Sequence, residues 1–103
     1  VLTVQAYPKT VLESRLERID LSSYRQVNQS YGTPVATISV YSGVDASPSS
    51  VLGTPIVSSD TLQVPESGGV AGTIYQINVS VPLTSPSETL SIVYFLAVVP
   101  NQQ

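Results

Sequence analysis

The chain predicts an all-β fold, an antiparallel sandwich of about seven short strands. Three observations carry that expectation. Runs of apolar–polar alternation recur along the sequence, the mark of half-buried strands. Clusters of Gly, Pro and Ser interrupt them roughly every 8 to 12 residues, the spacing of turns in such folds. Val, Ser, Thr and Tyr are abundant while lysine is scarce, a bias towards pleated strands over helices. The 103 residues are expected to form a single domain spanning the chain, large enough to bury roughly 65% of its unfolded surface without covalent staples.

The elements follow in order. Residues 1 to 7 alternate weakly through Leu2, Val4 and Ala6 and stop at Pro8, which cannot donate to a ladder. Residues 11 to 21 are ambiguous: Leu12, Leu16 and Ile19 have helical spacing, whereas Arg15, Glu17, Ile19 and Leu21 share one side of a strand. A helix would set Glu13 against Glu17, a like-charge pair, so a strand is expected. Residues 22 to 34 are polar and read as a loop. In residues 35 to 42, Ala36, Ile38 and Val40 take one face and Val35, Thr37, Ser39 and Tyr41 the other. Residues 43 to 50 are turn chemistry. Short strands are expected near residues 55–58 and 61–64, joined through Ser59 and Asp60 as a hairpin. Residues 73 to 81 place Tyr75, Ile77, Val79 and Val81 on one face. Residues 83 to 87 turn again. Residues 89 to 99 are almost continuously apolar, as in a strand covered on both faces, by its own domain or by a partner. This profile is that of an Ig-like or fibronectin-like sandwich.

Charge narrows the function classes. Charged residues make up 11% of the chain and the net charge is −3, which argues against nucleic acid, whose binders need a basic face. No stretch reaches the roughly 18 apolar residues of a membrane span, so no membrane partner is expected. All four basic residues, Lys9, Arg15, Arg18 and Arg25, fall in the first quarter. Either they solubilise one exposed strand or that strand meets an acidic partner.

The run S-G-G-V-A-G-T-I-Y-Q-I-N-V-S-V (67–81) poses the sharpest question about chemistry. A phosphate cradle needs its glycines between a strand and a helix. Here Gly68, Gly69 and Gly72 lead into period-two alternation, and no lysine follows. Residues 72 to 79 resemble instead the G-T-x-Y-x-V-x-V start of the penultimate strand in fibronectin-type sandwiches. In that resemblance Gly69, Gly72 and Tyr75 form a structural corner, with the ring in the core and the hydroxyl bonded to backbone just upstream.

Other chemistries lack their residues. There is no cysteine and no histidine, hence no thiolate site and no Ser-His-Asp or Cys-His relay. Lys9, the one lysine, neighbours no serine motif. Asp45, Asp60, Glu66 and Glu88 fall in turn-like stretches, where acids are normally solvated. They form no D-x-D-x-D cluster for calcium. No catalytic residue, metal or cofactor is expected. Asn28 and Asn78 head glycosylation sequons, a pattern common by chance. The aromatic set is unusual: six tyrosines, one phenylalanine and no tryptophan. Tyrosine suits interfaces, so Tyr24, Tyr31 and Tyr94, with Arg15 and Arg18, are the candidate partner contacts; padding of sheet faces is the other role for Tyr41 and Tyr94, and core-rim packing for Tyr24 and Tyr31.

Several segments together resemble a family of small virion proteins of tailed phages, described as fibre-tail adaptor or neck-associated proteins. They are Y-S-G-V-D-A-S-P-S-S-V-L-G-T-P (41–55), S-G-G-V-A-G-T-I-Y (67–75), L-A-V-V-P-N (96–101) and P-K-T-V-L-E-S-R-L-E-R-I-D-L-S-S-Y (8–24). The family's opening strand ends in Asp-aromatic-Ser followed by tryptophan; here it reads Asp20-Leu21-Ser22 without one. The resemblance implies a non-enzymatic structural protein, made in a bacterial cytoplasm and carried on the virion in several copies. Its partners would be other virion proteins: fibre, tail adaptor, portal or capsid. A capsid decoration (cement) protein is the alternative, and an Ig-like cell- or carbohydrate-binding module a further one. Residues 89 to 99, or their neighbour, are expected to be buried in an assembly, and residues 100–103 to form a short exposed tail or partner arm.

Overall fold

Two sheets face one another, built from nine strands among the described residues. The structure is a computed structural model and describes residues 2–5, 9–10, 14–24, 29–84 and 87–100. The larger sheet is centred on β8 (Thr73–Thr84) and β9 (Glu88–Val99), antiparallel partners in register from Thr73 opposite Val98 to Leu83 opposite Glu88. β1 (Leu2–Gln5) and β2 (Lys9–Thr10) follow one another along the far edge of β9. β4 (Ser30–Tyr31) and β5 (Val35–Ser42) follow one another along the far edge of β8. The smaller sheet has the order β3 (Ser14–Asp20), β7 (Thr61–Ser67), β6 (Ile56–Ser58). A β3-β7-β6 sheet against β5-β8-β9 corresponds to strands B, E, D against C, F, G, the arrangement of an Ig-like sandwich. Twelve residues at about 3.3 Å each span about 40 Å, and the two longest strands run with the 48 Å axis of the molecule.

Alternation decides which side chains enter the core. Tyr75, Ile77, Val79, Val81 and Leu83 of β8 are buried, as are Ile92, Tyr94, Leu96 and Val98 of β9. Ile19 comes from β3, Leu62 and Val64 come from β7, and Leu21 and Val51 close the ends. Fully burying one such aliphatic side chain stabilises the fold by about 1.5–3 kcal/mol. Residues 14–20 of the ambiguous early segment are a strand, with Arg15, Glu17 and Ile19 on the side that faces the core, opposite Glu66, Val64 and Leu62; residues 11–13 lie outside the described residues.

Four features depart from the sequence expectation. β1 and β2 pair parallel with β9, because the first strand and the last lie side by side in one sheet without a hairpin between them. The stretch expected as a loop contains a 3-10 turn at Ser22–Tyr24 and the short strand β4. β9 begins at Glu88, an acid expected in a turn, and is an inner strand with neighbours on both edges. The fourth is that β8 and β7 run past their prolines, to Thr84 through Pro82 and to Ser67 through Pro65.

Both prolines are accommodated in the same way. A residue's N and C=O point to the same edge of its strand, so the carbonyl shows where the missing N–H lies. The Pro82 carbonyl accepts the Gly32 N–H at 2.7 Å, in the gap between β4 and β5, and the Pro65 carbonyl accepts the Gly53 N–H at 2.9 Å, beyond the end of β6. Neither proline therefore removes a bond to β9 or β3; each leaves unformed only the return bond to its glycine. Each ring occupies the space a side chain would need: a Cβ on Gly32 would lie 2.7 Å from Pro82 Cγ, and one on Gly53 2.8 Å from Pro65 Cβ.

Candidate functional site

The glycine run between β7 and β8 turns the chain from the small sheet to the large one. Gly68, Gly69 and Gly72 have φ of 66°, 98° and 83°, the left-handed region that side chains disfavour. A Cβ on Gly69 would lie 2.9 Å from Val98 Cγ2. The Gly72 N–H donates to the Val98 carbonyl at 2.8 Å, which starts the β8–β9 ladder. Tyr75 is fully buried, and its hydroxyl accepts the Val70 N–H at 2.9 Å, five residues upstream. The same hydroxyl donates to Asp45 Oδ2 at 2.6 Å. Burial and the Asp45 carboxylate push the phenol's pKa up. The Tyr75 hydroxyl and the Ser47 N–H hold Asp45 below the usual carboxylate range.

That Tyr75–Asp45 contact is one of three with a common chemistry. Tyr31 donates to Asp60 Oδ1 at 2.5 Å, linking β4 of the large sheet to the β6–β7 turn of the small one. Tyr94 donates to Glu66 Oε2 at 2.7 Å, joining β9 to β7 through the middle of the sandwich. In each pair the phenol donates and the carboxyl accepts. Burial first, and then the Glu66 charge, push the Tyr94 hydroxyl far above its ordinary range. A fourth acid, Glu88, accepts from the Gln29 side chain at 2.8 Å.

These contacts revise several sequence expectations. Glu66 is not a solvated turn acid: it sits in β7 on the inward-facing side, 2% exposed. Tyr94 is fully buried, so it cannot serve as a partner contact; inward alternation in β9 sends its ring to the core. Tyr31 is half-buried and committed to Asp60. Arg15 is half-buried and turns to the inner face opposite Glu66. Desolvation raises the pKa of its neighbour Glu17, and the Arg15 charge partly offsets that rise. Arg18 and Tyr24 are exposed. Nothing in the residue pattern flagged the tyrosine–carboxyl pairs, because their partners are 28 to 30 residues apart. The unusual tyrosine content was the available signal.

The surface offers apolar groups more than chemistry. The outer face of the large sheet carries Ile74, Val93, Phe95, Ala97 and Val99, all half-buried. Across it the Tyr41 ring meets Phe95 edge to face, with centroids 4.9 Å apart. Val35, Tyr41, Val44, Ile56 and Val70 are exposed. Among the described residues no three His, Cys, Asp or Glu side chains are grouped to hold a metal ion, and no helix is long and apolar enough to cross a membrane. Asn28 and residues 101–103 lie outside the described residues. Comparison of the chain with protein-family models, curated proteins and solved structures finds no match.

Proposed function

We propose that this chain is a non-enzymatic structural protein of a tailed-phage virion, an Ig-like adaptor that attaches fibres or neck components at the head–tail junction. The resemblance of its sequence segments supplies the setting. The observation that favours a structural role over catalysis is the engagement of its acids: Asp45, Asp60, Glu66 and Glu88 each accept a hydrogen bond from a side chain of the same chain. Carboxylates so engaged hold elements of the fold together. Virion partners would meet the exposed apolar groups of the large sheet and the exposed Arg18 and Tyr24.

Cryo-EM of particles carrying a tagged and labelled copy tests this reading. Label confined to the head–tail junction is the expected result. Label spread over the capsid would instead make the chain a decoration protein, and particles without label would remove the virion reading.

A further inference from the structure

The sandwich has four strand edges, and they are not alike. An edge presents unpaired N–H and C=O groups, which proteins protect with charge, proline, bulges or short length. β3 carries Arg15, Glu17, Arg18 and Asp20. β6 is three residues long. The β1–β2 edge carries Lys9 and has Pro8 between its two strands. β5 has eight residues, no charge and no proline, and its one irregularity is a bulge at its end, between Val40 and Ser42. Its only strand partner among the described residues is β8.

The residues of β5 are also complementary to themselves. Side chains opposite one another in a ladder lie on the same sheet face, so an antiparallel self-pairing must be centred on a residue. Centred on Ile38, it uses residues 35–41, which start after Pro34 and end at Tyr41, the residue inserted by the bulge. On the inner face Ala36 then meets Val40 and Ile38 meets its own copy, all apolar. On the outer face Thr37 meets Ser39, and Val35 meets Tyr41, the two being 60% and 64% exposed in the single chain. Moving the centre to Ser39 would set Thr37 against Tyr41 and Val35 against Gly43 across the bulge. No charged residue lies between Arg25 and Asp45, so the pairing brings no like charges together despite a net charge of −3.

We infer that β5 is a dimerisation edge, at which two copies of this chain pair antiparallel about Ile38 and join their large sheets into one. The inference does not depend on the virion reading. The pair is isologous, each copy giving and receiving the same contacts.

Charge reversal at Thr37 and Ser39 tests it. Both are exposed, and their neighbours on β8 are Asn78 and Gln76, which are uncharged. Sedimentation of the native protein should give twice the mass of the chain. Thr37→Glu with Ser39→Glu sets like charges opposite each other and should yield a monomer with an unchanged strand spectrum. Thr37→Lys with Ser39→Glu sets opposite charges together and should restore the dimer. A native monomer, or a dimer that survives the double glutamate variant, overturns the inference. If that variant does not fold, cross-linking decides, because the chain has no cysteine of its own. Paired residues have Cα atoms about 4.5–5.5 Å apart, within disulfide range. Thr37→Cys with Ser39→Cys should therefore give a covalent dimer on oxidation where Thr37→Cys alone does not. Equal cross-linking of the two, or none, overturns it.

Discussion

The Tyr94 hydroxyl donates to the Glu66 carboxyl at 2.7 Å in the interior of the sandwich, joining the last strand of the large sheet to the middle strand of the small one. Both side chains are buried. Sheets held by apolar contact alone can slide, since hydrophobic attraction has no direction. A hydrogen bond between fixed registers ties the inner position of β9 to that of β7. Tyr31 and Asp60 make a second such link at the β6–β7 turn, and Tyr75 and Asp45 fasten the loop after β5 to the start of β8.

Tyr75→Phe should destabilise the fold by about 1–3 kcal/mol, because it leaves the Val70 N–H without its acceptor and Asp45 Oδ2 without the phenol donor. Chemical denaturation with unchanged slope is the measurement. An unaltered midpoint would remove the corner from the account.

The two proline–glycine contacts predict a matched pair of losses. Gly32→Ala and Gly53→Ala each push a Cβ to within 2.8 Å or less of a proline ring carbon, and overpacking of this kind costs about 1–3 kcal/mol. Thermal melts should show both variants lowered. Gly68, where an added Cβ meets nothing within 4 Å, would lose stability only through its φ of 66°.

The β6–β7 turn separates backbone strain from side-chain bonding. Ser59 and Asp60 both have positive φ, 49° and 64°, the two-residue geometry that favours glycine or asparagine. Ser59→Gly should stabilise the protein by about 0.5–1 kcal/mol through relief of that strain. Asp60→Gly relieves the same strain but removes the acceptor of the Tyr31 hydroxyl, so it should destabilise. Equal effects of the two changes would show that the Tyr31 link contributes nothing.

Asp45 and Glu17 should contribute to acid stability with opposite sign. The Tyr75 and Ser47 bonds lower the pKa of Asp45 from 3.8, so its contribution is complete above 3.8 and lost as pH falls through the lowered value. Desolvation raises Glu17 above 4.5, so the folded state favours its protonated form and gains stability as pH falls from the raised value to 4.5. Asp45→Asn should flatten the loss below 3.8, and Glu17→Gln the gain above 4.5, in melts across the acid range. The reverse assignment of the two limbs would contradict the geometry.

Local pattern made most of the fold legible. The alternation of β5 and β8 sorted their faces, whereas the continuous apolar run of β9 did not, and the two-residue turn at Ser59–Asp60 marked its hairpin. Glycines before a tyrosine marked the corner. Prolines misled because Pro65 and Pro82 are harmless only beside Gly53 and Gly32, 12 and 50 residues away. The early charges were harder. Arg15 and Glu17 face inward at one end of the sandwich, where alternation alone cannot tell a core face from a solvent face. Tyr94 reads as a candidate partner contact because tyrosine suits interfaces, and its acceptor, Glu66, is 28 residues away.

The direct test of the tyrosine–carboxyl scaffold is a double-mutant cycle on Tyr94→Phe and Glu66→Gln, measured by denaturant unfolding. If the bond across the core holds the sheets, each single change costs about 1–3 kcal/mol, and the double change costs less than the sum by at least about 1 kcal/mol. Additive losses would mean that Tyr94 and Glu66 are merely two buried side chains, and that no bond between them holds the sheets.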